Sequence, residues 1–160
     1  GSTQSTITVT LKDAAGIDVG ASDGVVTFAT PSVGSISPVT PGGDGTYTAT
    51  YTSGTTAGSV TITPKLDGVD FTNTTSITLT AGTATKYVVT RSSATPTAGG
   101  TVTITAQLAD ANDNAVSTAG LTVTWSKSDA NGSFASATRT TNGRSGQLIF
   151  LHWMRQKGTN

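Results

Sequence analysis

At 160 residues the chain has room for one large domain or two small ones, and internal repetition has to decide between them. Nine basic and nine acidic residues cancel to zero formal net charge, so nothing draws in nucleic acid or an anionic membrane over distance. With no cysteine there is no disulfide, zinc–thiolate site or thiol nucleophile.

Charged residues make up 11% of the chain, against roughly 25% in ordinary soluble domains. Thr alone supplies about a fifth, and every acid is Asp. The branched Cβ of Thr and Val suits a pleated strand and stiffens against helix, so this composition favours β structure. No apolar run approaches the roughly 20 residues that a membrane-crossing helix needs, and no membrane insertion is expected. Gly1-Ser2 has the look of a cleavage-site remnant, so no targeting signal is expected in this stretch.

In chain order, "TITVTLK" places Ile7, Val9 and Leu11 on one face and Thr6, Thr8 and Thr10 on the other, the alternation of a half-buried strand. The same grammar recurs in "GVVTFAT", "GTYTATYT", "GSVTITPKL", "TSITLT", "KYVVTRS", "TVTITAQLAD" and "LTVTWSKSD". Turn-rich stretches such as "DAAG", "TPGGDG", "SGTTAG", "DANDN" and "SDANG" separate them, at the spacing of a sandwich or barrel. No segment keeps helical periodicity. Phe28 is expected in the core, as are Tyr47, Ala49 and Tyr51, which alternate with Thr46, Thr48 and Thr50. Tyr47 resembles the tyrosine corner of sandwich folds.

The two halves repeat. "ITVTLKDAAG" around Leu11 matches "ITAQLADAND" around Leu108, an offset of 97 residues that sets Asp13 over Asp110, Val26 over Val123 and Phe28 over Trp125. Two copies of one β domain follow, 1–82 and 83–160. The second opens with a strand, "KYVVTRSSATPTAGG", for which the first has no counterpart. The first continues through "TAGSVTITPKLDG" and "TNTTSITLTAG", for which the second has none. The fold expected is therefore all-β: two tandem immunoglobulin-like β-sandwiches, the first without its leading strand and the second without its closing strand. Such a chain reads as a window on a longer tandem array.

The order of the first strand, the "KDAAG" or "DANDN" turn, the "VTF" or "VTW" strand, the "GSI" or "GSF" turn and "DGTYTATYTSGTTAGSVTITP" resembles the group 1 bacterial immunoglobulin-like domains of invasin and intimin type. The resemblance covers most of residues 3 to 143. It implies a sandwich without the antibody disulfide, no catalytic residues to carry over, and an extracellular or cell-surface setting. It also implies a structural and adhesive role in a surface adhesin, as a stalk with weak protein or glycan contacts, and neighbouring immunoglobulin-like domains as partners. Such domains also occur on phage virions, where they would serve attachment to host or mucus glycans. A third expectation is an accessory domain of a secreted polysaccharide-degrading enzyme.

No candidate site outweighs its bland alternative on residue types alone. Trp125 and Phe28 hold equivalent strand positions and fill a core better than they stack a ligand. "DANDN", Asp110 to Asn114, carries oxygen ligands, but its counterpart "DAAG" marks it as a turn, and neither metal nor cofactor is expected. The lone His152 has no nucleophile beside it, and the Asp residues sit in turn contexts, which leaves no triad or carboxylate pair. "NGR" at Asn142 to Arg144 and the sequons at Asn73 and Asn131 are short enough to arise by chance.

The exception is "RSGQLIFLHWMRQKGTN". Aligned through Gly45 and Gly146, it sets Leu148, Phe150 and His152 in place of Tyr47, Ala49 and Tyr51, and turns Ile149, Leu151 and Trp153 outward where the first copy has Thr48, Thr50 and Thr52. Three readings stay open: an apolar face covered by a partner or ligand at Trp153, Leu151, Ile149 and His152; an open edge that self-associates by strand pairing; or a peptide foreign to the repeat.

Overall fold

Thr alternates with Ile7 and Val9 from Thr6 to Thr10 in β1 (Gln4–Thr10), and with Tyr and Ala along its partner β5 (Thr46–Thr52). The two pair antiparallel from Gln4 opposite Thr52 to Thr10 opposite Thr46. Residues directly opposite in such a pair share a face. Ile7 therefore meets Ala49 and Val9 meets Tyr47 on the inner side, while Thr8 meets Thr48 and Thr6 meets Thr50 on the outer. The burial follows: Tyr47, Ala49 and Tyr51 are buried and the Thr residues between them are half-buried. This arrangement comes from a computed structural model that describes residues 2–20, 24–128, 133–134, 138–142 and 149–154. By its internal packing the chain divides into two compact units, Gly1–Thr80 and Ala81–Asn160. Among the described residues there is no helix, and the all-β sandwich expectation holds.

In unit 1, β3 (Ser35–Ile36) and β4 (Thr40–Pro41) also pair with β5, completing one sheet. Facing it are β2 (Val26–Phe28), β7 (Pro64–Leu66) and β8 (Val69–Asp70) in one ribbon, and β6 (Gly58–Ile62) with β9 (Thr75–Leu79) in another. β6 and β7 are a single extended run that changes partner at Thr63, whose carbonyl accepts the Ala29 N–H at 2.9 Å. Two apolar clusters fill the space between the layers. Ile7, Tyr51, Val60 and Ile62 form the first, with Phe28 packed against it as expected. Leu11, Val26 and Tyr47 form the second, with Val9, Leu66 and Phe71 against it.

Tyr51 is the tyrosine that ties strand to loop. Its ring is 1% exposed, and its hydroxyl donates to the Val33 carbonyl at 2.8 Å. The chain turns there at Gly34, with φ of 82°. A Cβ at Gly34 would lie 2.4 Å from the Thr52 carbonyl oxygen and 2.7 Å from the Tyr51 hydroxyl, so only glycine fits the corner. Tyr47, expected in that role, is buried four residues earlier on the same face.

Unit 2 is built from β10 (Lys86–Arg91), β11 (Thr101–Ala109), β12 (Ala119–Thr124), β13 (Ser133–Phe134), β14 (Thr138–Asn142) and β15 (Ile149–Met154). One sheet runs β10-β11-β15-β13, and β12 pairs with β14 across a register shift between Ala119 and Thr122. Val102, Ala106, Leu108 and Ala109 are buried on β11, and the Trp125 and Phe134 rings stand 6.3 Å apart, tilted by 43°. β11, β15 and β13 correspond to β1, β5 and β3. β10 has no counterpart among the described strands of unit 1, as the sequence comparison anticipates.

Candidate functional site

The four residues singled out in the tail lie on β15. The pairing sets Trp153 opposite Val102, Leu151 opposite Ile104, Ile149 opposite Ala106 and His152 opposite Thr103. Val102 and Ala106 are buried, so the first three fall at positions that share a face with the core side of β11, and His152 falls on the alternate face. Unit 1 has the same frame, with Ile7 opposite Ala49 and Val9 opposite Tyr47. Ile149, Leu151 and Trp153 are thus the positional equivalents of Tyr47, Ala49 and Tyr51. The expected alignment, which gave that role to Leu148, Phe150 and His152, is displaced by one residue. In a structure of period two, one residue exchanges the faces. Leu148 lies outside the described residues.

The turn after each long strand is closed by an Asp. Asp13 Oδ1 accepts the N–H groups of Ala15 and Ile17, both at 2.9 Å, and Asp110 Oδ1 accepts those of Asn112 and Asn114 at 2.9 and 3.0 Å. The left-handed residue three positions on is Gly16 in one copy, with φ of 80°, and Asp113 in the other, with φ of 66°. This is an Asx hook, local and self-contained. Asp110 goes further: its Oδ2 accepts the Asn114 amide at 2.9 Å and the Gly82 N–H at 2.8 Å, which fastens the chain just ahead of β10. The Asn114 amide, the Gly82 N–H and the two turn N–H groups hold the Asp110 carboxyl down at about 2, although it is only 4% exposed. Its oxygens are taken up by N–H donors. Among the described residues no three His, Asp or Glu side chains gather as a metal site. The ion pairs Lys65–Asp70 and Lys86–Asp113, at 2.7 and 2.8 Å, and Lys12–Asp18 lie at the surface and contribute little.

The feature of unit 1 that composition did not announce is a groove of about 470 Å³ along β1. The continuous run Ile7 to Lys12 forms one wall, and Phe28, Pro64, Leu66 and Phe71 from the facing layer form the other. β5 takes one edge of β1, and among the described residues no strand takes the other. A groove with an apolar floor and a strand edge as its rim offers the two elements of strand addition, main-chain pairing and side-chain pockets.

The family described as invasin, domain 3, matches residues 1–82. The chain belongs to this family. Its invasin-type sandwich is also found in solved structures. InvD of Yersinia pseudotuberculosis is 24% identical with a TM-score of 0.56, over 97% of this chain and 53% of that one. InvE, an adhesin of the same organism, is 21% identical with a TM-score of 0.48, over 97% and 47%. FdeC, an Escherichia coli adhesin, is 23% identical with a TM-score of 0.47, over 94% and 55%. The chain therefore spans about half the length of these structures, and at this identity the likeness to InvD concerns the fold. A search of curated proteins found no match by sequence.

Proposed function

We propose that this invasin-type chain is a non-catalytic, extracellular module of a bacterial surface adhesin, one stretch of an array of immunoglobulin-like repeats that acts as a stalk. The observation that carries the proposal is the family match over residues 1–82, joined to a second copy in which the Asx hook and the β11–β15–β13 sheet recur. Neutral net charge and rows of Thr hydroxyls on the outer face of β1 and β5 suit a surface that keeps its neighbours at a distance without attracting polyanions. The test is protease shaving of intact cells that carry the parent protein, read by mass spectrometry. Peptides from residues 1–160 are expected in the shaved fraction, and the purified chain is expected not to compete with whole-cell adhesion. Peptides found only after lysis would overturn the surface assignment, and competition at micromolar concentration would overturn the stalk role in favour of a ligand-binding one.

A further inference from the structure

We propose that the buried Asp110 carboxylate is a tension clasp: it grips the chain at Gly82, where a pull along the polypeptide enters unit 2, ahead of a β10–β11 ladder that the same pull loads in shear. The proposal rests on the stalk reading above, since a stalk transmits the pull between what it holds and what anchors it.

The grip is built where the chain enters. Leu79 at the end of β9 is paired with Gly58, and Gly82 already donates its N–H to Asp110 Oδ2 at 2.8 Å, so two residues, Thr80 and Ala81, separate the last pairing of β9 from the clasp. Thr85 N–H then donates to the Ala109 carbonyl at 2.9 Å, and the Lys86 ammonium donates to the Ala111 carbonyl at 3.2 Å. Each partner lies at the end of β11 or in the turn that follows it. Asp110 is the strongest of these holds. It is 4% exposed, and its oxygens also accept the Asn112 and Asn114 N–H groups and the Asn114 amide, which fix the carboxylate in place. A bond to a charged acceptor is stronger than a neutral one, and burial of the carboxylate limits the water that would replace the donor as the bond is stretched.

The sheet behind the clasp is oriented to resist the same pull. β10 runs antiparallel to β11, with Lys86 opposite Ala109 and Arg91 opposite Ile104. β15 flanks β11 on its other edge, with Ile149 opposite Ala106 and Met154 opposite Thr101. β10 therefore starts at the Ala109 end of the sheet, and β15 finishes at the Thr101 end. A pull between those two points draws β10 and β15 in opposite directions along their axes, past β11 between them. The ladder bonds stand perpendicular to the strands, so such a pull strains them together, whereas prying the strands apart from one end breaks them in turn. Gly82 lies ahead of the ladder, and the clasp is the first bond the pull meets.

With no cysteine in the chain, thiol handles can be placed at chosen points. Unit 2 of the full chain is held at constant force between Thr80→Cys and a cysteine appended after Asn160, and its lifetime is read by magnetic tweezers. Gly82→Pro removes the N–H and is expected to shorten that lifetime about tenfold, the factor that one hydrogen bond to a charged group supplies. Gly82→Ala keeps the donor, and its Cβ would lie 3.4 Å from Asp110 Oδ2, an ordinary contact, so the lifetime should be retained. With the first handle moved past the clasp to Thr85→Cys, Gly82→Pro should change nothing. With Gly82 in place, the pull from Thr80 should outlast the pull from Thr85. Handles at Thr85→Cys and Asn112→Cys pry the ladder open from one end and should part it at lower force. Circular dichroism checks that each variant is folded. The proposal is overturned by an unchanged lifetime in Gly82→Pro, by an equal loss when the pull enters at Thr85, by equal lifetimes from Thr80 and Thr85, or by a ladder that resists prying as well as shear. Shaving of intact cells is indifferent to these results, so the stalk reading and the clasp fail separately.

Discussion

Replacing Tyr51 by Phe removes one oxygen from the best-buried ring of unit 1 and leaves everything else in place. The ring is 1% exposed and its hydroxyl reaches the Val33 carbonyl at 2.8 Å. A net hydrogen bond of this kind contributes about 1 kcal/mol, and the carbonyl left behind adds to the cost, because Val33 is half-buried and water reaches it only in part; about 1–1.5 kcal/mol is expected. In a unit spanning Gly1–Thr80, each kcal/mol lowers Tm by about 4–8 °C. The expected loss is thus about 4–12 °C, out of a total stability on the order of 4–12 kcal/mol. Circular dichroism melts of the full chain measure it, and tryptophan fluorescence separates the units, since Trp125 and Trp153 both belong to unit 2. A shift below about 1 °C would mean that the hydroxyl is equally well satisfied by water, and the corner would then be held by packing alone.

Further expectations concern the core, the turns and acid. Ile62→Ala empties a site that is 1% exposed and should cost about 2–5 kcal/mol, read from the midpoint of urea denaturation. At Gly45, φ is 81° and a Cβ would sit 1.9 Å from the Val19 carbonyl oxygen; Gly45→Ala should destabilise unit 1 by about 2 kcal/mol or more, and a neutral result would show that the turn shifts freely. The Asp110 carboxyl titrates at about 2 in the folded chain against 3.8 for the ordinary group, so its contribution is present above pH 3.8 and is lost as the pH falls through about 2. Unit 2, followed by tryptophan fluorescence in urea, should weaken across that window. Asp110→Asn should flatten the decline, and an unchanged acid limb would detach the hook from stability.

Much of the fold was legible because alternation fixes face. Thr at every second place of "TITVTLK" and "TYTATYT" leaves one solution for which side is buried, and the structure adopts it. The tail resisted the same treatment for a physical reason. "IFLHWM" is apolar in both phases, so patterning cannot choose between them, and the alignment had to lean on Gly45 and Gly146 in turns whose lengths need not match. Both Tyr47 and Tyr51 were legible as inward. Which hydroxyl meets a carbonyl depends on where the loop at Val33 crosses the strand, a contact 18 residues away that no local pattern reports. The groove was less legible still, since half of its wall comes from Pro64, Leu66 and Phe71, whose approach to β1 is set by the packing of two layers.

The pairing of β1 with β5 also sets a timetable. Gln4 waits for Thr52 and Thr10 for Thr46, so the strand that anchors the sheet cannot close until some forty further residues exist. At a synthesis rate of about 5–20 residues per second, that is an interval of roughly 2–8 s in which β1 is made but unmatched. Such distant pairings also place the unit among slow folders, on the order of milliseconds to seconds once the chain is complete. A strand that is half threonine, with a hydroxyl beside each Ile or Val, is suited to that delay: it stays hydrated on one side while its partner is still being built.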